Sequence, residues 1–193
     1  METTEALFVT SNHHKAREAA EILGVELRSV ALDLPEMQEL DVSQVAAVKA
    51  ASAREVLADP DSPILVEDSG IIFGAWNGLP GALTKWFLAS VGNEGMLKML
   101  ENEEDRSARA VCAVAVATGG SVRVFAGEVG GSIAFEPRGG RGFGWDPIFI
   151  PDGYTETYAE LGPRKHEVSH RARALHAVRE ALHGGPEDSS FVG

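Results

Sequence analysis

The chain has 193 residues, 44% of them hydrophobic and 24% charged, which is enough for one self-sufficient core without a disulfide or structural metal. Its 29 acidic against 17 basic residues leave a formal charge of −12, a balance that repels a nucleic-acid backbone and argues against a polymeric partner. No run approaches the roughly 18 apolar residues of a membrane span, no basic-then-apolar leader opens the chain, and the single cysteine, Cys112, reads as core of a protein in a reducing compartment, so cytoplasmic residence is expected.

Residues 6–10 read as a first strand, and 15–23 as a helix closed by Gly24. A second strand is expected over 26–30, then a surface loop over 31–40 holding Pro35 and several carboxylates. Asp41 with Gln44 three residues on resembles a capping box and opens an alanine-rich helix over 42–57, which Asp59-Pro60-Asp61 ends. Residues 64–67 form a short apolar strand, Ser69-Gly70 a turn, and 71–75 another strand. After Leu79-Pro80-Gly81 come short helices over 84–90 and 95–100. Residues 108–118 are almost wholly apolar, the pattern of a strand buried on both faces at the sheet centre. Gly119-Gly120 is a hairpin signal leading to an alternating strand over 121–129, and Gly130-Gly131 leads to a separate strand over 133–135. Apolar or small residues at Ala172, Leu175, Val178 and Leu182 mark a helix over 169–182. The domain is expected to span 1–185, leaving 186–193 as a polar tail.

Three polar clusters follow these apolar runs. Thr10-Ser11-Asn12-His13-His14-Lys15 sets hydroxyls, an amide and an ammonium where strand becomes helix, and a helix start offers backbone N–H groups to an anion. It lacks the glycines and the Gly-Lys-Ser/Thr ending of a Walker A loop, and taken alone Ser11 or Asn12 reads first as a helix cap. Glu67-Asp68-Ser69-Gly70 ends a strand that should be buried, so its carboxylates need cations or donors. Magnesium, which takes one or two carboxylates with water and phosphate oxygens, is a natural partner; capping the turn is an equal alternative.

The third cluster is the richest. A Phe143-Gly144-Trp145-Asp146-Pro147 turn precedes Thr155, Glu160 and Lys165, and closes on Ser169-His170-Arg171 at a helix start, where the dipole favours an anionic or carbonyl-bearing ligand. A flat aromatic, a glycine-freed backbone and three cations read as a slot for a base and its phosphates. Stacking accepts any base, whereas donors to O6 from Lys165, His170 or Arg171 would favour inosine or xanthosine over adenine. Core packing is the reading for Phe143 alone but not for Trp145; Trp76 and Trp86 read as packing or interface residues. His166 and His170 are four apart, but the helix begins only near Ser169 and no cysteine is close, so zinc is not expected.

In this order, with Leu79-Pro80-Gly81 and Lys85-Trp86-Phe87 between them, the motifs resemble the inosine triphosphate pyrophosphatase family over residues 7–182. Segments 33–36, 85–88 and 151–154 are closer to its eukaryotic-type branch. The resemblance implies an α/β fold with a mixed central sheet flanked by helices, in two lobes with a cleft between them, and a homodimer. It implies magnesium-dependent cleavage of deaminated purine nucleoside triphosphates to the monophosphate and pyrophosphate. Thr10, Asn12 and Lys15 match the family's phosphate-binding positions, with Ser11 where many relatives have glycine, and Lys49 joins them. Glu36 and Asp68 match the metal-binding acids, Glu39 and Asp41 being alternatives to Glu36. Asp68 matches the acid that activates water, with Lys15 assisting. Ser69, Lys85, Lys165, His170 and Arg171 complete the cleft, and Phe143, Gly144, Trp145 and Asp146 form the base slot. Open beside this are a pyrophosphatase for other modified nucleotides, a nucleotide-binding regulator without turnover, and an acidic protein-interaction module.

Overall fold

A computed structural model of the chain describes residues 6–24, 27–57 and 62–183. In chain order they form β1 (Leu7–Val9), α1 (His13–Leu23), β2 (Arg28–Val30), α2 (Val42–Leu57), β3 (Ile64–Phe73), β4 (Pro80–Gly81), α3 (Thr84–Ser90) and α4 (Gly92–Met99). There follow β5 (Ser107–Thr118), β6 (Ser121–Ile133), β7 (Phe149–Pro151), α5 (Tyr158–Leu161), α6 (Lys165–Val168) and α7 (His170–His183). The strands make one mixed sheet in the order β2-β1-β3-β5-β6-β7, with β4 on β3. β1 runs parallel to β2 and β3, and the other pairings are antiparallel. Helices cover the sheet, as the α/β expectation required.

The period-two geometry of a strand sorts the core. On β3, Ile64 and Val66 pack with Val42, Ala46, Ala50 and Ala53 of α2. Leu65 points the other way, into a cluster with Ala19 and Ile22 of α1 and Ala172, Leu175 and Val178 of α7. Farther along, Ile71 and Phe73 enter a third cluster with Met96, Trp145, Phe149 and Tyr158. β5 repeats the arrangement: Ala113 and Ala115 face α2, Cys112 and Val114 face α7, and Ala108 and Ala110 join the third cluster. β5 is central, as its unbroken apolar run suggested.

Local signals account for most boundaries. Asn12 caps α1, its side chain accepting from the His14 and Lys15 amides, so the helix begins two residues before the expected Lys15. Gly24 ends it in the left-handed conformation. Asp41 Oδ1 accepts from the Ser43 amide at 2.8 Å and starts α2. The expected strand over 26–30 is Arg28–Val30 among the described residues; Glu26, the break at 59–61 and the tail at 186–193 lie outside them.

Two expected interruptions are absent. Ser69-Gly70 is not a turn: β3 runs unbroken through it, paired residue for residue with β5 from Ile64 to Phe73. Gly70 serves close approach instead, since a Cβ there would lie 2.0 Å from the Gly81 carbonyl oxygen. Likewise Gly130-Gly131 stays within β6, which continues to Ile133 against β5. In both places a long ladder outweighs the local turn preference of glycine.

Candidate active site

The continuity of β3 puts Glu67 and Asp68 in mid-strand, on opposite faces of the sheet. Glu67 shares a face with Leu65, and Asp68 shares one with Val66 toward α2. Around them opens a cleft of about 730 Å³. It is lined by Thr10, Ser11, Asn12 and Lys15 from the β1–α1 junction, Glu36 and Lys49 from the acidic loop and α2, and Asp68 and Ser69 from β3. Lys85 from α3, the Phe143–Asp146 turn, and His170 and Arg171 from α7 complete it. The residues matched to the family's metal, phosphate and base positions all line this one cavity except Lys165, whereas Glu39, Asp41, Thr155, Glu160 and Ser169 lie outside its lining.

Six charged side chains form a network in and behind its inner wall. Arg171 donates to Glu67 through Nε and Nη2, both at 2.8 Å, and through Nη1 to Glu18. Lys165 donates to Glu18 at 3.0 Å and to Asp146 at 2.8 Å, and the Lys15 ammonium lies 3.3 Å from Glu67. Three carboxylates thus meet three cations, as burial of charge demands. Burial pushes the Glu67 pKa up, but Arg171 and then Lys15 outweigh it and hold the carboxyl well below the usual carboxylate range. Burial acts the same way on Glu18, and Arg171 with Lys165 reverses it. His170, fully buried, is held well below the ordinary histidine range by burial and by the neighbouring Arg171 and Lys165 charges, so its imidazole is neutral at physiological pH.

On the other face Lys49 stands between two acids, 2.7 Å from Glu36 and 3.6 Å from Asp68. Lys85, largely exposed, reaches the other Glu36 oxygen at 3.5 Å. Burial, reinforced by the Glu36 and Glu67 charges, outweighs Lys15 and Lys49 at Asp68 and pushes its carboxyl up to about 6. Its Oδ2 is buried without a hydrogen-bond partner. Asp68 is therefore a carboxylate with a vacant acceptor and an acidity near neutrality, the condition of a general base.

The structure reverses the expected roles of the two slot aromatics. Trp145 is 7% exposed and packs against Phe149, Tyr158 and His170 in the core. Phe143 is half-buried, with the Lys165 ammonium 4.8 Å and the Arg171 guanidinium 5.3 Å over its ring. The turn is built by Gly144 at φ 62, by the Phe143 amide donating to Asp146 at 2.9 Å, and by Asn93 Nδ2 donating to the Gly144 carbonyl at 2.9 Å. Lys165, expected to offer a donor to O6, is instead sequestered beneath Phe143 and bound to Glu18 and Asp146; it supports the slot from behind. At the phosphate end, Asn12 Oδ1 is committed to the cap, so what Asn12 can give a ligand is its amide N–H.

Glu18 escaped the sequence reading. The signal available was weak: an acid three residues after Lys15, flanked by Ala19 on the buried side of α1. Gly127 escaped as well. A Cβ there would lie 2.2 Å from the His170 carbonyl oxygen and 2.6 Å from the Ala174 nitrogen, so this glycine lets α7 approach β6 closely enough to bring Arg171 to Glu67.

A model described as the Ham1 family matches residues 6–181. The chain is 44% identical over 181 residues to the dITP/XTP pyrophosphatase of Methanopyrus kandleri, covering 91% of this chain and 95% of that protein. It is 43% identical over 189 residues to the inosine triphosphate pyrophosphatase of Yarrowia lipolytica, covering 95% and 98%. Among solved structures it is similar to a HAM1 protein from Coxiella burnetii, with a TM-score of 0.81, 29% identity, and 93% and 98% of the two chains covered. The Staphylococcus aureus Ham1 protein aligns with a TM-score of 0.78 at 27% identity, covering 94% and 100%.

Proposed function

The chain belongs to the Ham1 family, and on that premise we propose that it hydrolyses deaminated purine nucleoside triphosphates to the monophosphate and pyrophosphate. The observation that carries this reading is Asp68, buried at the centre of the cleft with one oxygen unpartnered and its carboxyl pushed up to about 6. At neutral pH it is largely ionised yet basic enough to take a proton. It accepts one from the water that attacks the α-phosphorus; the bond from that phosphorus to the bridging oxygen breaks, and pyrophosphate leaves with the electron pair. Lys15 and Lys49 offset the charge on the phosphates, with Lys85 at the cleft mouth and the Thr10, Ser11 and Ser69 hydroxyls and the Asn12 amide as donors. Phe143 supplies the stacking face. His170, neutral and wedged between Trp145 and Tyr158, and Arg171, clamped by two carboxylates, fix the wall behind it.

Glu36 and Asp68 fit a magnesium ion. They offer only hard carboxylate oxygens, one Asp68 oxygen lacks a partner, and the Lys49 ammonium between them marks the spot where positive charge is favoured. No three His, Cys, Asp or Glu side chains gather into a metal site among the described residues, so water and substrate phosphate would complete the shell. When bound, the ion would polarise the phosphoryl oxygens and neutralise their charge. A homodimer that resides in the cytoplasm and binds no nucleic-acid polymer belongs to the same proposal. No described helix is long and apolar enough to cross a membrane.

The test is a panel of common and deaminated nucleoside triphosphates with magnesium, scored for pyrophosphate against orthophosphate. Pyrophosphate from inosine, deoxyinosine or xanthosine triphosphate, with far slower turnover of adenosine and guanosine triphosphates, is the expected result. Orthophosphate release, or equal rates across the panel, would overturn the reading, as would binding without product.

A further inference from the structure

Phe143 can stack on a base only if one of its faces is open, and both are engaged. The Lys165 ammonium and Arg171 guanidinium lie over the ring at 4.8 and 5.3 Å, held from beneath by salt bridges to Glu18, Glu67 and Asp146. The His14 imidazole is stacked on the same ring, with centroids 5.2 Å apart and planes 16° from parallel. The two cations are buried and His14 is exposed, so the cations take the inner face and His14 the outer one, toward the cleft that His14 also lines. A base inserted between two rings needs about 3.5 Å on each side. The 5.2 Å between these centroids leaves no room for it.

The engaged groups differ in what holds them. Moving Lys165 or Arg171 would strand buried carboxylates, whereas the His14 ring is at the surface, and the bonds that fix its residue run from its backbone amide to Asn12 Oδ1. We propose that His14 is a displaceable occupant of the base slot, stacking on the outer face of Phe143 until an incoming purine takes its place. The inference rests on the proposed nucleotide substrate and adds a residue that sets affinity for its base. The exchange of one stack for another makes slot occupancy by His14 a direct competitor of base binding. An aromatic pair of this kind is worth about a 2- to 10-fold change in an equilibrium constant.

The experiment is calorimetry with two probes, the α,β-methylene analogue of inosine triphosphate, which cannot be cleaved at that bond, and inorganic tripolyphosphate, which has no base. His14→Ala is expected to bind the nucleotide analogue about 2- to 10-fold more tightly than wild type, with tripolyphosphate affinity unchanged. His14→Phe, which keeps the ring stack, should return nucleotide affinity to the wild-type value or below. Unchanged or weakened nucleotide binding by His14→Ala would overturn the proposal, as would an equal change for tripolyphosphate, which would assign His14 to the phosphates. If wild-type protein binds tripolyphosphate but no nucleotide analogue, the substrate reading fails and this inference with it. A defect confined to the His14 variants fails this inference alone.

Discussion

Arg171 grips Glu67 through two parallel N–H···O bonds of 2.8 Å in a fully enclosed setting. Arginine's planar fork suits that bidentate geometry, and the bond ties the first turn of α7 to the middle of β3. Replacing Arg171 with Met leaves Glu67 and Glu18 short of a cation in the interior. The expected cost is about 3–5 kcal/mol in urea unfolding at pH 7, with roughly half recovered by adding Glu67→Gln. A loss under 1 kcal/mol would mean that Lys15 alone suffices for Glu67.

Asp68 should separate chemistry from folding. Asp68→Asn is expected to lower kcat by about 10²- to 10⁴-fold while the circular dichroism spectrum stays that of wild type. In wild type the acid limb of kcat/KM should fall near pH 6 at low magnesium and move to lower pH as the metal concentration rises, because a bound cation favours the carboxylate. A limb indifferent to magnesium would count against Asp68 as the metal-linked base.

The same residue sets a stability trend. Burial favours the protonated form of Asp68, so its contribution is complete below about pH 4 and is lost as the pH rises through about 6. Glu67 and Glu18, both shifted down, contribute in the opposite sense: present above about pH 4, lost as the pH falls through their lowered values. In chelator, the stability of Asp68→Asn relative to wild type should therefore rise by about 2–3 kcal/mol between pH 4 and pH 7. Parallel curves for the two proteins would show that the carboxyl is not desolvated in solution.

Phe143 and Trp145, two residues apart, should respond differently to truncation. Trp145→Ala empties a core position and is expected to cost about 3–5 kcal/mol of stability. Phe143→Ala should cost well under half of that and raise KM for nucleotides. Equal stability losses would contradict the separation of their environments.

Gly127→Ala places a methyl group against the α7 backbone. An overpacking cost of about 1–3 kcal/mol is expected, accompanied by a higher KM, since α7 carries His170 and Arg171. A destabilised variant with unaltered KM would show that α7 recovers its position when substrate binds.

Much of this protein was legible along the chain because its signals are short-range. The polar residues at the β1–α1 junction, the apolar run that became β5, the glycine hairpin after it and the spacing of Ala172, Leu175 and Val178 each act within a few residues. They suffice for an α/β fold with its polar loops gathered at one cleft. What only the tertiary structure decided lies where distant parts of the chain compete with local preference. Ser69-Gly70 would turn in isolation, yet ten consecutive pairings with β5 keep it extended, which sends Glu67 and Asp68 to opposite faces. Trp145 is buried and Phe143 left at the cleft because Phe149, Tyr158 and His170 surround the one while two cations prop the other. Glu18 finds its partners 147 and 153 residues away: a buried charge must be neutralised wherever the fold brings a counter-charge, and no local pattern encodes where that is.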